Sequence, residues 1–267
     1  MRDETDNVIR CTWQGGELRV DTDVVVVEVP VALVYNDVSH VVMMATPANL
    51  EDLAMGFSLS EGILQRPRQL LDVEIHERQT GLEVAMQISA EAFVALKQRR
   101  RNLTGRTGCG LCGLESLDQA VPVPAKITGG DYAVSHHALQ RALKGLERRQ
   151  SLKNLTGGVH GAAWCNAQGE VELLREDIGR HNALDKLLGA LQRGQHATEG
   201  FVLVTSRASY EMVAKAASCN VPILAAVSAS TTLAVAQAEA SGITLVGFVQ
   251  PDRQVIYTNP QRIVEQR

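Results

Sequence analysis

The 267-residue sequence has no long uninterrupted hydrophobic run and no stretch typical of an export signal. Its first ten residues, MRDETDNVIR, lack the apolar segment of a signal peptide, and no later run reaches the length of a membrane span. A large excess of charge of either sign is also absent. The formal net charge is −4, which restricts any anion site to a local patch. We therefore expect a cytoplasmic protein that binds neither membranes nor nucleic acid.

Aromatic residues are scarce at 4%, whereas the hydrophobic fraction of 45% is ordinary for a globular protein. The length suits one large domain or two modest ones. Five cysteines in a chain without an export signal indicate a reducing compartment, which disfavours a structural disulfide.

In the first half of the chain, short alternating strands predict a smaller α+β part built from hairpins and helices. Asn36-Asp37 and Thr80-Gly81 are the predicted turns, and Thr46 with Pro47 predicts the start of a helix that ends near residue 62. A second helix is predicted over 90–100. The predicted divisions are a flexible, irregular N-terminus over 1–22, a part over 23–125 that ends in a C-x-x-C loop, and a part over 131–267.

In the second half, apolar strands alternate with helices, which predicts an α/β layer with a largely parallel sheet. Strands are predicted over 162–166, 170–174, 201–206, 222–228 and 244–249, and helices over 135–149, 181–192, 209–219 and 231–240. Ligands of such sheets lie beyond the carboxyl ends of the strands. Those ends carry the polar strings TSRAS, AVSAST and VGFVQPDR.

The string RTGCGLCG at 106–113 places Cys109 and Cys112 two residues apart among glycines. Such a segment gives access to the sulfurs and has little to contribute to a core. Four cations precede or enter it, and they favour the thiolate form of a nearby cysteine: Arg99, Arg100, Arg101 and Arg106. The string therefore predicts a nucleophilic or sulfur-carrying cysteine.

Three other interpretations of this string are weaker. A dinucleotide fingerprint needs a hydrophobic strand just before it, and RRRNLTGRT stands there instead. A zinc site needs further ligands, which His160 and His181 could supply, since the other cysteines are far apart in sequence. The third alternative is the disulfide already disfavoured by compartment.

Two strand ends carry hydroxyls and small residues before a helix. Ser206 to Ser209, with Arg207 between them, suits a phosphate, although simple capping by Ser206 or Ser209 explains the hydroxyls equally well. Ser230 in AVSASTTLA is likewise predicted to cap a helix. The segment REDIGRHNALDKLLG (175–189) is dense in charge, and half of its groups are expected to satisfy one another. For His160, a structural role is the simpler interpretation.

A zinc deaminase is disfavoured by the residues themselves. That class pairs H-x-E with P-C-x-x-C, whereas Ala162 stands two positions after His160 and a glycine precedes Cys109. The general acid is missing.

Several strings in order resemble the FdhD family of formate dehydrogenase accessory sulfurtransferases. They run from about residue 25 to the end, and only their combination is specific: RTGCGLCG, TGGVHGAA, REDIGRHNALDK, FVLVTSRASYEMVAKAA, AVSASTTLAVAQAE and TLVGFVQPDRQVIYTNPQRI.

The resemblance implies that a cysteine desulfurase donates sulfur to a loop cysteine. The sulfur then passes to the molybdenum or tungsten of bis(molybdopterin guanine dinucleotide) before its insertion into the formate dehydrogenase catalytic subunit. The first cysteine of the family's C-x-x-C, which carries the persulfide, matches Cys109, and the second matches Cys112. No permanent metal is implied, and the fold resembles the cytidine deaminase layer without its zinc.

The family's cofactor stretch F-x-x-P-G-R falls on Phe248, Val249, Gln250, Pro251, Asp252 and Arg253. Asp252 departs from the pattern, since glycine is usual there and a carboxylate is unfavourable near a diphosphate. Arg253 and Arg207 are the expected anion contacts. A guanine nucleotide should mimic part of the cofactor, and a homodimer is one assembly to test. The alternative function is a non-catalytic chaperone that binds the cofactor and escorts it.

Overall fold

The computed structural model describes residues 2–103, 124–194, 196 and 198–265, with the backbone alone for 99–103. The helices are α1 (Leu50–Ser60), α2 (Ala90–Leu103), α3 (His136–Arg149), α4 (Ser151–Thr156), α5 (Arg180–Arg193), α6 (Tyr210–Ser218) and α7 (Thr232–Ser241). Short 3₁₀ turns occur at Pro67–Gln69 and Pro260–Arg262. The strands are β1 (Thr5–Gln14), β2 (Glu17–Val26), β3 (Val29–Tyr35), β4 (Val38–Ala45), β5 (Leu70–Arg78), β6 (Gly81–Ile88), β7 (Val134–Ser135), β8 (His160–Asn166), β9 (Val171–Asp177), β10 (Gly200–Val204), β11 (Ile223–Ala226), β12 (Thr244–Gln250), β13 (Arg253–Ile256) and β14 (Ile263–Val264).

The N-terminus forms regular structure, so the prediction of an irregular segment over 1–22 is wrong. Strands β1 and β2 pair antiparallel along their whole length, from Thr5 with Val26 to Gln14 with Glu17. Gly15 and Gly16 make the turn with φ of 60° and 90°. The polar composition reflects exposure: most side chains of this hairpin face solvent on both sides, so they show no clear alternation.

The N-terminal part is a four-stranded sheet in the order β4-β3-β6-β5, with α1 and α2 beside it. Both predicted hairpins are confirmed. Asn36 and Asp37 adopt φ of 45° and 63°, as a two-residue hairpin turn requires, and β5 pairs with β6 across the second turn.

Helix α1 begins at Leu50, so its predicted start at Thr46 and Pro47 is wrong. Asn49 takes the N-cap position with φ 55° and makes no side-chain cap bond. Thr46 does not act as the cap, because its Oγ1 accepts from Lys186 Nζ at 2.7 Å instead of from a helix N–H. Its backbone N–H and Oγ1 donate to the carboxylate of Asp177, at 3.0 and 3.2 Å. The helix ends at Ser60, close to the predicted position.

The C-terminal part is a six-stranded sheet in the order β13-β12-β11-β10-β8-β9. Only the pairings of β10 with β11 and of β11 with β12 are parallel. The prediction of a largely parallel sheet is therefore correct for these central strands and wrong for the edges. Turns of a few residues join β8 to β9 and β12 to β13, and such short connections allow only antiparallel pairing.

Helices cover both faces of this sheet. Helix α3 is capped at its start by Ser135 Oγ, as predicted. It covers one face of the sheet, where its Leu139 packs in one cluster with Phe201 and Val246 of the strands. Helices α5, α6 and α7 cover the other face around Leu187, Val202 and other buried residues. This layered arrangement confirms a mixed α/β fold.

Glycines allow α1 and α5 to cross in close contact and so join the two parts. A Cβ atom at Gly56 would overlap the backbone carbonyl of Asp185, and one at Gly189 would overlap that of Asp52. Because the obstructing atoms belong to helix backbones, no side-chain rotation could relieve the overlap.

We expect Gly56→Ala to destabilise the protein by about 1–3 kcal/mol, although alanine favours a helix interior by about 1 kcal/mol. Urea unfolding followed by circular dichroism measures the change. Gly145→Ala in α3 is the matched control, because its Cβ would meet side-chain atoms of Val171, at 3.1 and 3.9 Å, and no backbone atom outside its own helix among the described residues. Equal stability changes for the two variants would show that the helix crossing tolerates separation.

Candidate functional site at the carboxyl edge of the central strands

Three connecting segments lie side by side at the carboxyl ends of β10, β11 and β12. The backbone N–H of Ala208 donates to Ala229 O at 3.1 Å, and Thr231 N–H donates to Ala208 O at 3.2 Å. The next segment is joined in the same way, since Phe248 N–H donates to Ser228 O at 3.0 Å. The predicted strand-end strings therefore meet at one edge.

Helices α6 and α7 both begin at this edge, and their first backbone N–H groups add positive potential there. The side-chain caps differ from the predictions. Ser209 occupies the N-cap of α6 without a side-chain cap bond, and Ser206 Oγ donates to Arg207 O instead. Thr231 caps α7, with its Oγ1 accepting from Ala234 N, so Ser230 is not the cap.

Arg207 is exposed on the segment between β10 and α6. Ser230, on the neighbouring segment, has a buried Oγ without a hydrogen-bond partner in the part of the chain that the structure describes. A parallel β-bridge pairs Ser230 with Ala208, and Arg207 directly precedes Ala208 in the sequence. Ser230 and Arg207 therefore lie close to the same bridge. An exposed guanidinium and an unused hydroxyl beside two helix starts suit an anionic ligand.

The 248–253 segment forms the turn from β12 to β13. Phe248 is half-buried with φ 50°, and the guanidinium of Arg253 lies over its ring, 5.0 Å from the ring centroid. Val249 is fully buried, so neither its side chain nor its backbone is accessible to a ligand in this structure. Gln250, Pro251, Asp252 and Arg253 are exposed.

Asp252 adopts φ 56°, in the left-handed region that favours glycine. Aspartate tolerates this conformation better than most residues, which explains how it can replace the usual glycine without changing the turn. Its backbone N–H donates to Gln140 Oε1 at 3.1 Å, a contact from α3 that sequence reasoning missed. The exposed carboxylate remains an unfavourable neighbour for a diphosphate.

The dense segment 175–189 serves largely to hold the two parts together. Asp177 and Lys186 form a fully buried ion pair at 2.7 Å, and Lys186 Nζ also donates to Thr46 O and Oγ1. Burial lowers the pKa of Lys186, and the adjacent Asp177 opposes that shift. Asn182 Nδ2 donates to Met44 O and to Asp177. These contacts confirm the structural interpretation for much of the segment.

A second buried group reinforces the junction of the two parts. Lys215 Nζ donates to Asp185, Ser60 and Glu61 at 2.9, 3.0 and 2.7 Å. Arg175 pairs with Asp52 of α1 at 2.7 Å. The α5 start is thus fixed to both parts of the molecule, which positions the remaining side chains of that segment, Arg180 and His181, at the sheet edge.

The reactive-cysteine prediction falls on residues outside the described part of the chain. Cys109, Cys112 and Arg106 lie there, as do the side chains of Arg99, Arg100 and Arg101. Of the cysteines that are described, Cys165 and Cys219 have pKa values raised to about 12 by burial, and Cys11 is exposed on the N-terminal hairpin. Cys165 is buried and Cys219 is half-buried, and the raised pKa of each thiol disfavours its nucleophilic thiolate form at neutral pH.

Within 2–103, 124–194, 196 and 198–265, no group of three histidine, cysteine or carboxylate residues could hold a metal ion. Within the same residues, no helix is both long and apolar enough to cross a membrane. The zinc alternative at Cys109 and Cys112 falls outside the described residues.

A cavity of about 810 Å³ lies at the opposite edge of the sheet, beside the start of β10. It is lined by residues that include Tyr132, His137, Arg141 and Glu199. None of the described site residues predicted from the sequence borders it, so it does not compete with the carboxyl edge as the predicted cofactor site.

Comparison with known proteins identifies the family. The model of the FdhD/NarQ family matches residues 26–264. A protein of Cupriavidus necator named "Sulfur carrier protein FdhD" is 55% identical over 252 residues, covering 94% of this chain and 87% of that protein. One of the same name from Variovorax paradoxus is 52% identical over 242 residues, covering 90% and 87%.

A solved structure shares the fold. It is that of a candidate formate dehydrogenase accessory protein from Desulfotalea psychrophila, with a TM-score of 0.75 at 24% identity, and the match covers 98% of this chain and all of the other. The specific likeness of the C-terminal layer to cytidine deaminase stays a prediction. The family match and the similarity to the curated relatives show that this chain belongs to the FdhD/NarQ family.

Proposed function

We propose that this protein is a sulfur carrier for formate dehydrogenase maturation, with Cys109 as the carrying residue. It takes sulfur from a cysteine desulfurase and delivers it to the molybdenum or tungsten of bis(molybdopterin guanine dinucleotide), the cargo, in the cytoplasm. The observation that carries the proposal is the likeness, over more than nine-tenths of the chain, to relatives named as sulfur carrier proteins. The C-x-x-C at 109–112 supplies the thiol chemistry that such a role needs.

Sulfur uptake is a thiol–disulfide type of exchange. The Cys109 thiolate attacks the outer sulfur of the donor persulfide, a new S–S bond forms, and the donor's S–S bond breaks. The bonding electron pair leaves with the donor cysteine as its thiolate, so no external oxidant or reductant is needed. Neighbouring arginines in the sequence favour the thiolate of Cys109 at neutral pH.

The carboxyl edge supports binding of the guanine dinucleotide part of the cargo. Arg207 and Arg253 provide exposed guanidinium groups, and the starts of α6 and α7 provide backbone N–H groups. Guanidinium groups and helix starts are the common partners of diphosphates. We assign the binding of this cargo to the 248–253 turn and Arg207.

Mass spectrometry tests the carrier role. After incubation with a cysteine desulfurase and cysteine, the intact chain should gain sulfur, and peptide mapping should place the added atom on Cys109. Cys11→Ala is the control that should still gain it, because Cys11 lies on the hairpin. A chain that stays unmodified while binding the cofactor normally would support the non-catalytic chaperone instead.

GDP binding tests the cargo site. Calorimetry should detect GDP binding, and Arg207→Ala should weaken it by about 1.5–3 kcal/mol, as expected for a lost charge-assisted hydrogen bond. The matched control is Arg19→Ala, which removes an exposed arginine from the hairpin and should leave GDP affinity unchanged. Equal affinities for the parent and Arg207→Ala would place the diphosphate elsewhere.

A further inference from the structure

Arg180, His160 and His181 gather at the same edge, on the side of β10 away from β11. His160 begins β8 and pairs with Asp177 at the end of β9, three residues before Arg180. Gly161, next to His160, is tied to the end of β10, because its N–H donates to Thr205 Oγ1 at 2.9 Å. His181 follows Arg180 in the first turn of α5. The sheet register therefore brings one guanidinium and two imidazoles together.

The charge of Arg180 has no compensating group among the described residues at this position. Its Nε is buried and has no hydrogen-bond partner within the part of the chain that the structure describes. The nearby carboxylates are already engaged: Asp177 holds Lys186, and Glu211 Oε2 lies 2.9 Å from His181 Nε2. Arg180 as a whole is half-buried. A buried guanidinium nitrogen without a hydrogen-bond partner is costly, and a bound anion would supply that partner.

The two imidazoles experience the same positive field. Burial lowers the pKa of both, and Arg180 lowers both further. The other charged groups that act on them are Lys153 and Glu211 from α4 and α6 and Lys215 from α6. Of these, only Glu211 favours the protonated form, and it acts on His181. A bound anion would reverse this balance, because it would favour the imidazolium forms.

We propose that Arg180, His160 and His181 form a second anion subsite, which binds one phosphate group and is separate from the diphosphate contacts of Arg207 and Arg253. The guanidinium is the principal ligand group, and the two imidazoles donate N–H groups. Binding of free phosphate does not depend on the proposed function. The assignment of that phosphate to the cofactor cargo does rest on it.

Histidine titration by NMR tests the subsite with inorganic phosphate as the probe. The pKa values of His160 and His181 are measured in the full chain with phosphate and with chloride at equal ionic strength, and His160→Asn and His181→Asn assign the signals. We expect phosphate to raise both pKa values by at least about 0.5, since an adjacent opposite charge favours the protonated form. His76, which lies on β5 in the N-terminal sheet, is the control, and phosphate should leave its titration curve unchanged.

Arg180→Gln separates anion binding from a structural role of the arginine. Without phosphate, it should raise both histidine pKa values, because a repulsive neighbour is removed. It should also weaken phosphate binding by about tenfold or more, as for a lost charge-assisted hydrogen bond. Arg180→Lys retains the charge and should keep part of the affinity, which provides a folded comparison if the glutamine variant is unstable. Arg19→Gln is the charge-matched control.

The outcomes distinguish this subsite from the cargo site. The subsite is overturned if phosphate leaves the histidine pKa values unchanged, or if the parent and Arg180→Gln bind phosphate with equal affinity. Either result overturns it even if Arg207→Ala impairs GDP binding. Conversely, phosphate binding that depends on Arg180 supports the subsite even if GDP does not bind at the 248–253 turn.

Discussion

Replacing Cys109 by alanine is expected to abolish formate dehydrogenase maturation while the chain still folds. The thiolate is the group that holds the sulfur, and alanine cannot form a persulfide. Buried Cys165 and half-buried Cys219 are poor substitutes, because their pKa values are raised to about 12, which disfavours the thiolate. Folding should persist, since the surrounding string RTGCGLCG has few apolar side chains. The measurement is formate dehydrogenase activity in a strain in which the variant is the sole copy.

Two controls make this result specific. Circular dichroism and thermal unfolding of Cys109→Ala should match the parent. Cys11→Ala, at an exposed position of the hairpin, should retain maturation activity. Near-normal activity of the Cys109→Ala strain would overturn the persulfide role of this residue.

Asp177→Asn is expected to destabilise the fold by about 3–5 kcal/mol, which is typical of breaking a buried ion pair on one side. The amide keeps the size of the carboxylate, but it leaves the ammonium of Lys186 buried beside a neutral group and Thr46. Chemical denaturation measures the loss. Glu17→Gln, which breaks the exposed pair with Arg19, should leave stability nearly unchanged.

The double variant Asp177→Asn/Lys186→Met identifies the cause. It should be less destabilised than the sum of the two single variants, because no unpaired charge remains. The pH dependence has a defined sign. Burial already lowers the pKa of Lys186 below its unfolded value of about 10.4, and Asp177→Asn removes the group that opposes this shift. The unfolded Asp177→Asn chain then binds more protons than the folded one, so its stability should rise with pH toward that value. Strict additivity of the two single changes would exclude the unpaired charge as the cause.

Elements governed by local chemistry were predictable from the sequence. Asn36-Asp37 marks its hairpin because both residues tolerate positive φ, and Ser135 marks the start of α3 because its hydroxyl accepts from Ala138 N. Elements governed by distant partners were not. Thr46 has the local pattern of a helix cap, but its Oγ1 accepts from the ammonium of Lys186, 140 positions later in the chain. The antiparallel pairing of β8 with β10 joins strands that are distant in the sequence, and strand periodicity does not specify it.

The candidate site divides in the same way. The strand-end rule correctly predicted that the TSRAS and AVSAST segments and the 248–253 turn would lie at one edge, because parallel neighbours end together. The composition of 175–189 suggested structural pairs, and most of its members proved to be such pairs. The sequence could not show that Arg180 Nε would lack a hydrogen-bond partner among the described residues. That outcome depends on which nearby carboxylates are already engaged by Lys186 and His181. The contact of Gln140 with Asp252 had no sequence signal.

The buried pair of Asp177 and Lys186 has a genetic consequence. It joins Thr46, in the first half of the chain, to the residues that immediately precede Arg180 at the sheet edge. An inherited change at Thr46 would therefore disturb the carboxyl edge, where we propose that ligands bind, without altering any residue that we assign to binding. Loss-of-function alleles in this gene should scatter over both halves of the coding sequence, and their positions alone will not map the binding surface.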